Sequence, residues 1–224
     1  MPKMQSLFSQ PRMVRDLLRG FVREDWLAWL DTRTLDPRPP TDAGPPLDRI
    51  NETQVWRVLW QGGSTWFYLL VRHETQVDPL MALRMWLYRG LLYQDLVLRR
   101  ETAPPARLPV VLPVVVYDGA PRWDAPLEAL ELFMPLPAAL HHYPPRMRYH
   151  VLDVRHDAIP EAAGPDNLVT LLCKLERGEG TGAVEERLDR LLDLASGPDA
   201  AGLRRAWQAL RAERGTVWRP VSSG

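Results

Sequence analysis

The chain has 224 residues, 46% of them hydrophobic and 25% charged, with a formal net charge of zero. That composition suits a globular protein with a substantial core, and it excludes a global field that would draw the chain to nucleic acid or an anionic membrane. Any affinity for DNA then needs a local basic patch.

The single cysteine, Cys173, excludes an intramolecular disulfide and suits a reducing compartment. No apolar run nears the ~20 residues of a membrane span, and residues 1–25 lack the apolar core of a signal peptide. The expectation is a soluble, cytoplasmic protein without a membrane partner.

In chain order, residues 4–22 predict a helix. Ser9 can cap, Pro11 fits a first turn, and Met13, Val14, Leu17, Leu18 and Phe21 recur at helical spacing. A short second helix is expected over about 24–31, followed by a breaker-rich loop, DPRPPTDAGPPLD (36–48). A β-hairpin follows over Thr53–Gln76, with Gln61-Gly62-Gly63-Ser64 at its reversal and β-branched and aromatic residues on both flanks.

Asp78 and Pro79 then open a long helix to about Arg100. It is apolar nearly all round, as for a helix with partners on several sides. LPVVLPVVVYDG (108–119) reads as a central strand, a helix is expected near 126–133, and RYHVLDV (148–154) reads as a second apolar strand. Three helical segments close the chain, at about 167–177, 183–195 and 200–213. The pattern predicts an α/β fold, a mixed β-sheet flanked by helices. Residues 1–164 form one domain in this reading and 165–224 a helical C-terminal extension.

Acids placed near the start of one hairpin strand and the middle of the next can converge on one face and hold a divalent cation, since side chains alternate faces and hard oxygen ligands suit Mg²⁺. Such an ion stabilises charge at a phosphodiester and activates a water. In Val71-Arg72-His73-Glu74-Thr75-Gln76, Glu74 and Gln76 share the face of Arg72 while His73 points the other way. Glu74 on its own equally suits a solvated strand end. His141, His142, His150 and His156 show no metal-ligand spacing with Cys173. Gly178–Gly182 follows a helix, so it reads as a linker and not a nucleotide fingerprint. Arg204, Arg205, Arg211, Arg214 and Arg219, with Glu213 the only acid after Asp199, form either a DNA-backbone patch or an ordinary solvated helix face. Arg12, Arg15, Arg19 and Arg23 make a similar stripe, partly offset by Asp16, Glu24 and Asp25.

WRV (56–58), YLLV (68–71), DPLMALRMWLYRGLLYQDL (78–96) and LPVVLPVVVYDGAPRW (108–123), with SLFSQPRMVRDLLRGFV (6–22) and NLVTLLCKLERGEG (167–180), together resemble the YhgA-like transposases. These are recombination-promoting nucleases of the PD-(D/E)XK superfamily. The resemblance covers most of the chain in consistent order. It implies a restriction-endonuclease-like fold over 1–164, with Mg²⁺ as cofactor, DNA as partner and phosphodiester hydrolysis as reaction. The family's Asp lies three residues before Trp-Arg-Val, and its Glu-x-Gln follows the Tyr-Leu-Leu strand. Those positions fall here on Thr53, Arg72 and Glu74. The family's early His-Asp pair would fall at or before Met1, while Asp153 matches an acidic position.

Two substitutes are open. Glu52 neighbours Thr53 but points to the other face unless a bulge intervenes. Glu74-x-Gln76 repeats the Glu-x-Gln spacing about 6–7 Å further along the strand. Were cleavage retained, Glu74, Asp153 and possible substitute Glu52 would ligate the metal and Gln76 would orient. Arg72 argues against that, because a guanidinium stays protonated and repels Mg²⁺. The expectation is a degenerate copy in which Arg72 pairs with Glu74. The alternative is a non-catalytic DNA- or protein-binding module, acting as a homo-oligomer or by pairing with an active relative.

Overall fold

The computed structural model describes residues 3–38, 53–60, 65–101, 107–196 and 198–217. Contacts divide the chain into two units, Phe21–Ile159 and a second made of Met1–Gly20 with Pro160–Gly224. The N-terminal helices thus group with the C-terminal ones, and the division after residue 159 lies five residues before the boundary expected at 164.

Phe21–Ile159 is built on a five-stranded sheet in the order β1-β2-β3-β4-β5. The strands are β1 (Leu30–Arg38), β2 (Thr53–Trp60), β3 (Trp66–Glu74), β4 (Val111–Tyr117) and β5 (His150–Asp153). β1, β2 and β3 pair antiparallel, and β3, β4 and β5 parallel, so the sheet is mixed as the sequence predicts. The four expected strands are present. The reversal between β2 and β3, residues 61–64, lies outside the described residues.

β1 is a fifth strand that the sequence reading places in a helix and a loop. The expected helix at 24–31 is a short 3-10 segment, Asp25–Trp29, and the chain turns into β1 at Leu30. β1 is an edge strand with a bulge between Asp31 and Asp36. There the Thr34 hydroxyl takes a ladder role, accepting from Leu59 N at 2.9 Å. Pro37 is tolerated because an edge strand can forgo one donor. β4 is central, yet it holds Pro113. The first β4–β5 pair is Val114↔His150, so Pro113 precedes the point at which β4 has neighbours on both sides.

The long helix, α3, spans Met81–Leu98. It begins two residues later than expected, since Asp78 caps a preceding turn by accepting from Leu80 N at 2.9 Å. Met81, Met85, Tyr88, Leu92 and Leu96 pack on Val55, Tyr68, Leu70, Val115 and Tyr117 of the sheet. These alternate residues from adjacent strands form one sheet face, and burying each is worth roughly 1.5–3 kcal/mol. The opposite face carries Trp56, Val58, Leu69, Val114 and Val116, all buried.

The second unit contains α1 (Lys3–Phe8), α2 (Pro11–Phe21), α4 (Leu168–Glu176), α5 (Thr181–Leu194) and α6 (Pro198–Val217). α2 has the expected buried stripe Met13, Val14, Leu17 and Leu18. Asn167 caps α4, accepting from Val169 N at 2.9 Å and Thr170 N at 3.1 Å, and its amide donates to the Asp16 carbonyl at 2.7 Å. Asp16 completes that helix start by accepting from Leu168 N at 2.8 Å, although burial pushes its carboxyl pKa up. The segment read as a linker is a tight turn, with Gly178 and Gly180 at φ 71° and 57°. No helix among the described residues is long and apolar enough to cross a membrane.

Charge is also built into the α3 side of the sheet. Arg38, with 6% of its side chain exposed, lies 3.3 Å from the Asp95 carboxylate of α3 and also pairs with Glu101. Asp95→Ala should lower unfolding free energy by about 3 kcal/mol in urea titrations, the low end for breaking a buried pair, because Glu101 remains. Hydrogen bonds from Arg38 hold the Glu101 carboxyl below its ordinary pKa of 4.5. Its pairing therefore contributes fully above 4.5 and is lost as pH falls through the lowered folded-state value. Glu101→Gln should flatten the acid limb of stability below about pH 4.5, measured as urea midpoints.

Candidate functional site

The antiparallel register sets Thr53 directly opposite Arg72. The parallel register continues each row across β4 and β5, giving Arg72↔Val115↔Val151 and Glu74↔Tyr117↔Asp153. Thr53, Arg72, Glu74, Tyr117 and Asp153 thus occupy neighbouring positions on one sheet face. Strand spacing puts the Glu74 and Asp153 backbones about 10 Å apart with Tyr117 between them. Of the positions singled out from sequence, Thr53, Arg72, Glu74 and Asp153 share this face. β3 ends at Glu74, so Gln76 lies in the bend beyond it and is exposed, off the shared strand face expected for it. Glu52 lies outside the described residues, and so does the Arg214 side chain.

Arg72 is packed among Glu74, Thr53 and Tyr88. It is 7% exposed, its Nε donates to Glu74 Oε1, its Nη1 is 3.5 Å from the Thr53 hydroxyl, and its guanidinium sits 5.5 Å from the centre of the Tyr88 ring. The pairing of Arg72 with Glu74 is the arrangement expected from sequence. It neutralises the carboxylate, and the Tyr88 face adds cation–π attraction.

Asp153 is 2% exposed and organises the chain around it. One oxygen accepts from Trp123 N at 3.0 Å, the other from Arg155 N at 3.2 Å and His156 N at 3.1 Å, and the His156 imidazole lies 2.9 Å from both. Turning this carboxylate toward an ion would orphan three backbone donors. Tyr117, between the two acids, donates from its hydroxyl to Pro121 O at 2.7 Å. That bond runs over Gly119, where a Cβ would come within 2.2 Å of the tyrosine oxygen, so the Tyr-Asp-Gly sequence fits a close backbone approach.

These donors do not suit a divalent cation. The cation already present is the guanidinium, and the second acid is spent on backbone groups. Among the described residues no group of three or more His, Cys, Asp or Glu side chains could hold a metal.

Two features escape the sequence reading. His73, on the opposite face with 4% of its side chain exposed, lies 3.1 Å from the Asp118 carboxylate at the ends of β3 and β4, although the angle misses hydrogen-bond geometry. Nothing in local sequence joins residues 45 positions apart; only the β3–β4 register does. Beside Asp153 a polar cavity of about 390 Å³ is lined by Trp123, Arg148, Tyr149, His150 and Asp157 among others. Burial pushes the Tyr149 hydroxyl up to about 12, so it serves there as a neutral group, donating to Pro126 O at 2.9 Å and accepting from Trp123 Nε1 at 3.2 Å. Burial lowers the pKa of His150 in the same cavity.

The C-terminal arginines are largely occupied within their own unit. Arg204 donates to Leu192 O at 3.0 Å and Ala195 O at 2.9 Å, closing the carbonyl end of α5. Arg211 pairs with Asp189 at 2.9 Å. Arg205 is exposed.

The buried Arg72–Glu74 pair has a thermodynamic signature. Glu74→Ala should destabilise by about 3 kcal/mol by removing a carboxylate from a buried guanidinium, while Arg72→Met should cost about 1 kcal/mol or less. Chemical denaturation of the two variants in parallel checks the ordering.

No curated protein and no solved structure matches the chain. A family model does, over residues 3–193, which takes in the sheet, α3 and the helices through most of α5. The chain belongs to the family described as "Putative transposase, YhgA-like".

Proposed function

We propose that this chain is a catalytically silent member of its family, a DNA-nuclease framework in which metal-dependent phosphodiester cleavage has been lost. The observation that carries the reading is Arg72, buried on the site face with its guanidinium against Glu74 and Thr53. Metal-assisted hydrolysis needs acids free to bind the ion and a field that favours a cation. Here Glu74 is neutralised by a side chain that cannot lose its proton, and Asp153 is committed to three backbone N–H groups. No catalytic step is assigned to Mg²⁺ on these residues.

A non-catalytic role remains open to such a framework. A DNA grip through the C-terminal helix is disfavoured, because Arg204 and Arg211 are used within the unit. A role through protein pairing draws on the unusual composition of α3.

Purified protein with supercoiled plasmid and Mg²⁺ or Mn²⁺ should nick no faster than a Glu74→Gln/Asp153→Asn control. Nicking by the wild type that this double substitution removes overturns the proposal. The converse experiment reinstates the family pattern with Thr53→Asp/Arg72→Glu/Glu74→Gln. Metal-dependent nicking gained by that triple variant would assign the loss to these positions.

A further inference from the structure

α3 buries one side against the sheet, and its other side has the composition of a second buried side. The solvent-facing stripe runs Leu83, Trp86, Leu87, Gly90, Gln94, Val97, and every one of these residues is exposed. None carries a charge. A surface helix ordinarily places charged residues on its outer face; this one leaves Leu83 44%, Leu87 55% and Leu98 72% exposed. The stripe continues onto the segment after β4. Trp86 lines an apolar cavity of about 340 Å³ with Phe133, Leu136, Leu140 and Tyr143, and Phe133, Met134, Leu140 and Tyr143 are themselves exposed.

From Leu80 to Tyr143 these side chains leave on the order of 900 Å² of apolar surface to solvent, beyond the roughly 300–600 Å² of the largest patch on a typical monomer. A stable interface of standard size needs about 800 Å² from each partner. The area therefore fits a partner of this chain's own size rather than a short peptide.

We infer that this face joins two copies of the chain, with α3 packed antiparallel on α3 about a two-fold axis near Gly90. Two observations select a second copy. The stripe lacks charge, so it offers no complementary pattern to an acidic or basic partner. Gly90 lies close to the midpoint between Leu83 and Leu98, and a Cβ built there meets nothing within 4 Å. A glycine at the crossing point lets two helix backbones approach closely, and a two-fold axis there sets Leu83 of one copy facing Val97 of the other.

Sedimentation velocity or light scattering on the full chain at micromolar concentration should give a mass about twice 25.7 kDa. Leu83→Glu/Leu87→Glu should return it to 25.7 kDa with an unchanged circular-dichroism spectrum. Should that variant fail to fold, Gly90→Cys decides: mild oxidation should link two chains through the introduced thiols, the native Cys173 being buried. A monomeric wild type overturns the inference. So does an assembly that survives the double glutamate substitution, or a Gly90→Cys variant that gives no covalent dimer.

Discussion

Arg72 is a permanent charge held inside a sheet face, and much of the arrangement around it follows from that constraint. A guanidinium with little solvent must find acceptors, and its fixed fork limits where they stand. Glu74 is two residues further along the same strand, Thr53 is directly across the antiparallel ladder, and Tyr88 closes the third side from α3. The spacing of two residues matters because it returns the side chain to the same face. A carboxylate at position 73 or 75 would point to the other face, away from the guanidinium.

The same logic repeats along the face. Arg38 on β1 meets Asp95 and Glu101, and Arg57 on β2 meets Asp36. Three strands thus each contribute an arginine to the side covered by α3, and each arginine has a carboxylate within reach. The ionic belt runs from the sheet edge toward Glu74, and the apolar core of Leu70, Val115, Met85 and Leu92 fills the space beside it. Burying ions in this way is weak evidence for stability, since desolvation offsets much of the attraction. It does restrict register, because a one-residue slip of β2 against β3 would strand Thr53 and Arg57 on the wrong face.

Sequence reasoning reached the framework where burial imposes a strong pattern. The continuous apolar run before Tyr117, the β-branched flanks of the hairpin and the heptad-like stripe of α2 each state their own secondary structure. β1 was illegible for the opposite reason. Asp31, Arg33, Asp36 and Pro37 break alternation, and a bulged edge strand depends on partners such as Thr34 and Leu59 that lie 25 residues apart. The pairing of Arg72 with Glu74 could be read from strand geometry alone. The commitment of Asp153 to Trp123, Arg155 and His156 could not, because it arises from a turn closed after β5 and from a loop that follows β4. Gln76 shows the remaining weakness: alternation predicts its face only as long as the strand lasts, and β3 ends two residues earlier.

Framework and site respond to different forces, which is why one can persist while the other changes. Trp56, Tyr68 and Tyr117 are held by buried area, and truncating such a residue costs several kcal/mol whatever the protein does. A cluster of acids awaiting a metal has the reverse balance: without the ion, like charges on one face repel and each buried carboxylate carries a desolvation cost. An arginine among those positions turns repulsion into attraction and spares the fold its dependence on an ion. On such a face an arginine–carboxylate pair is therefore easier to hold than a set of unpaired acids. Nothing comparable acts on the core, whose burial holds the strands together whatever charges stand on the face.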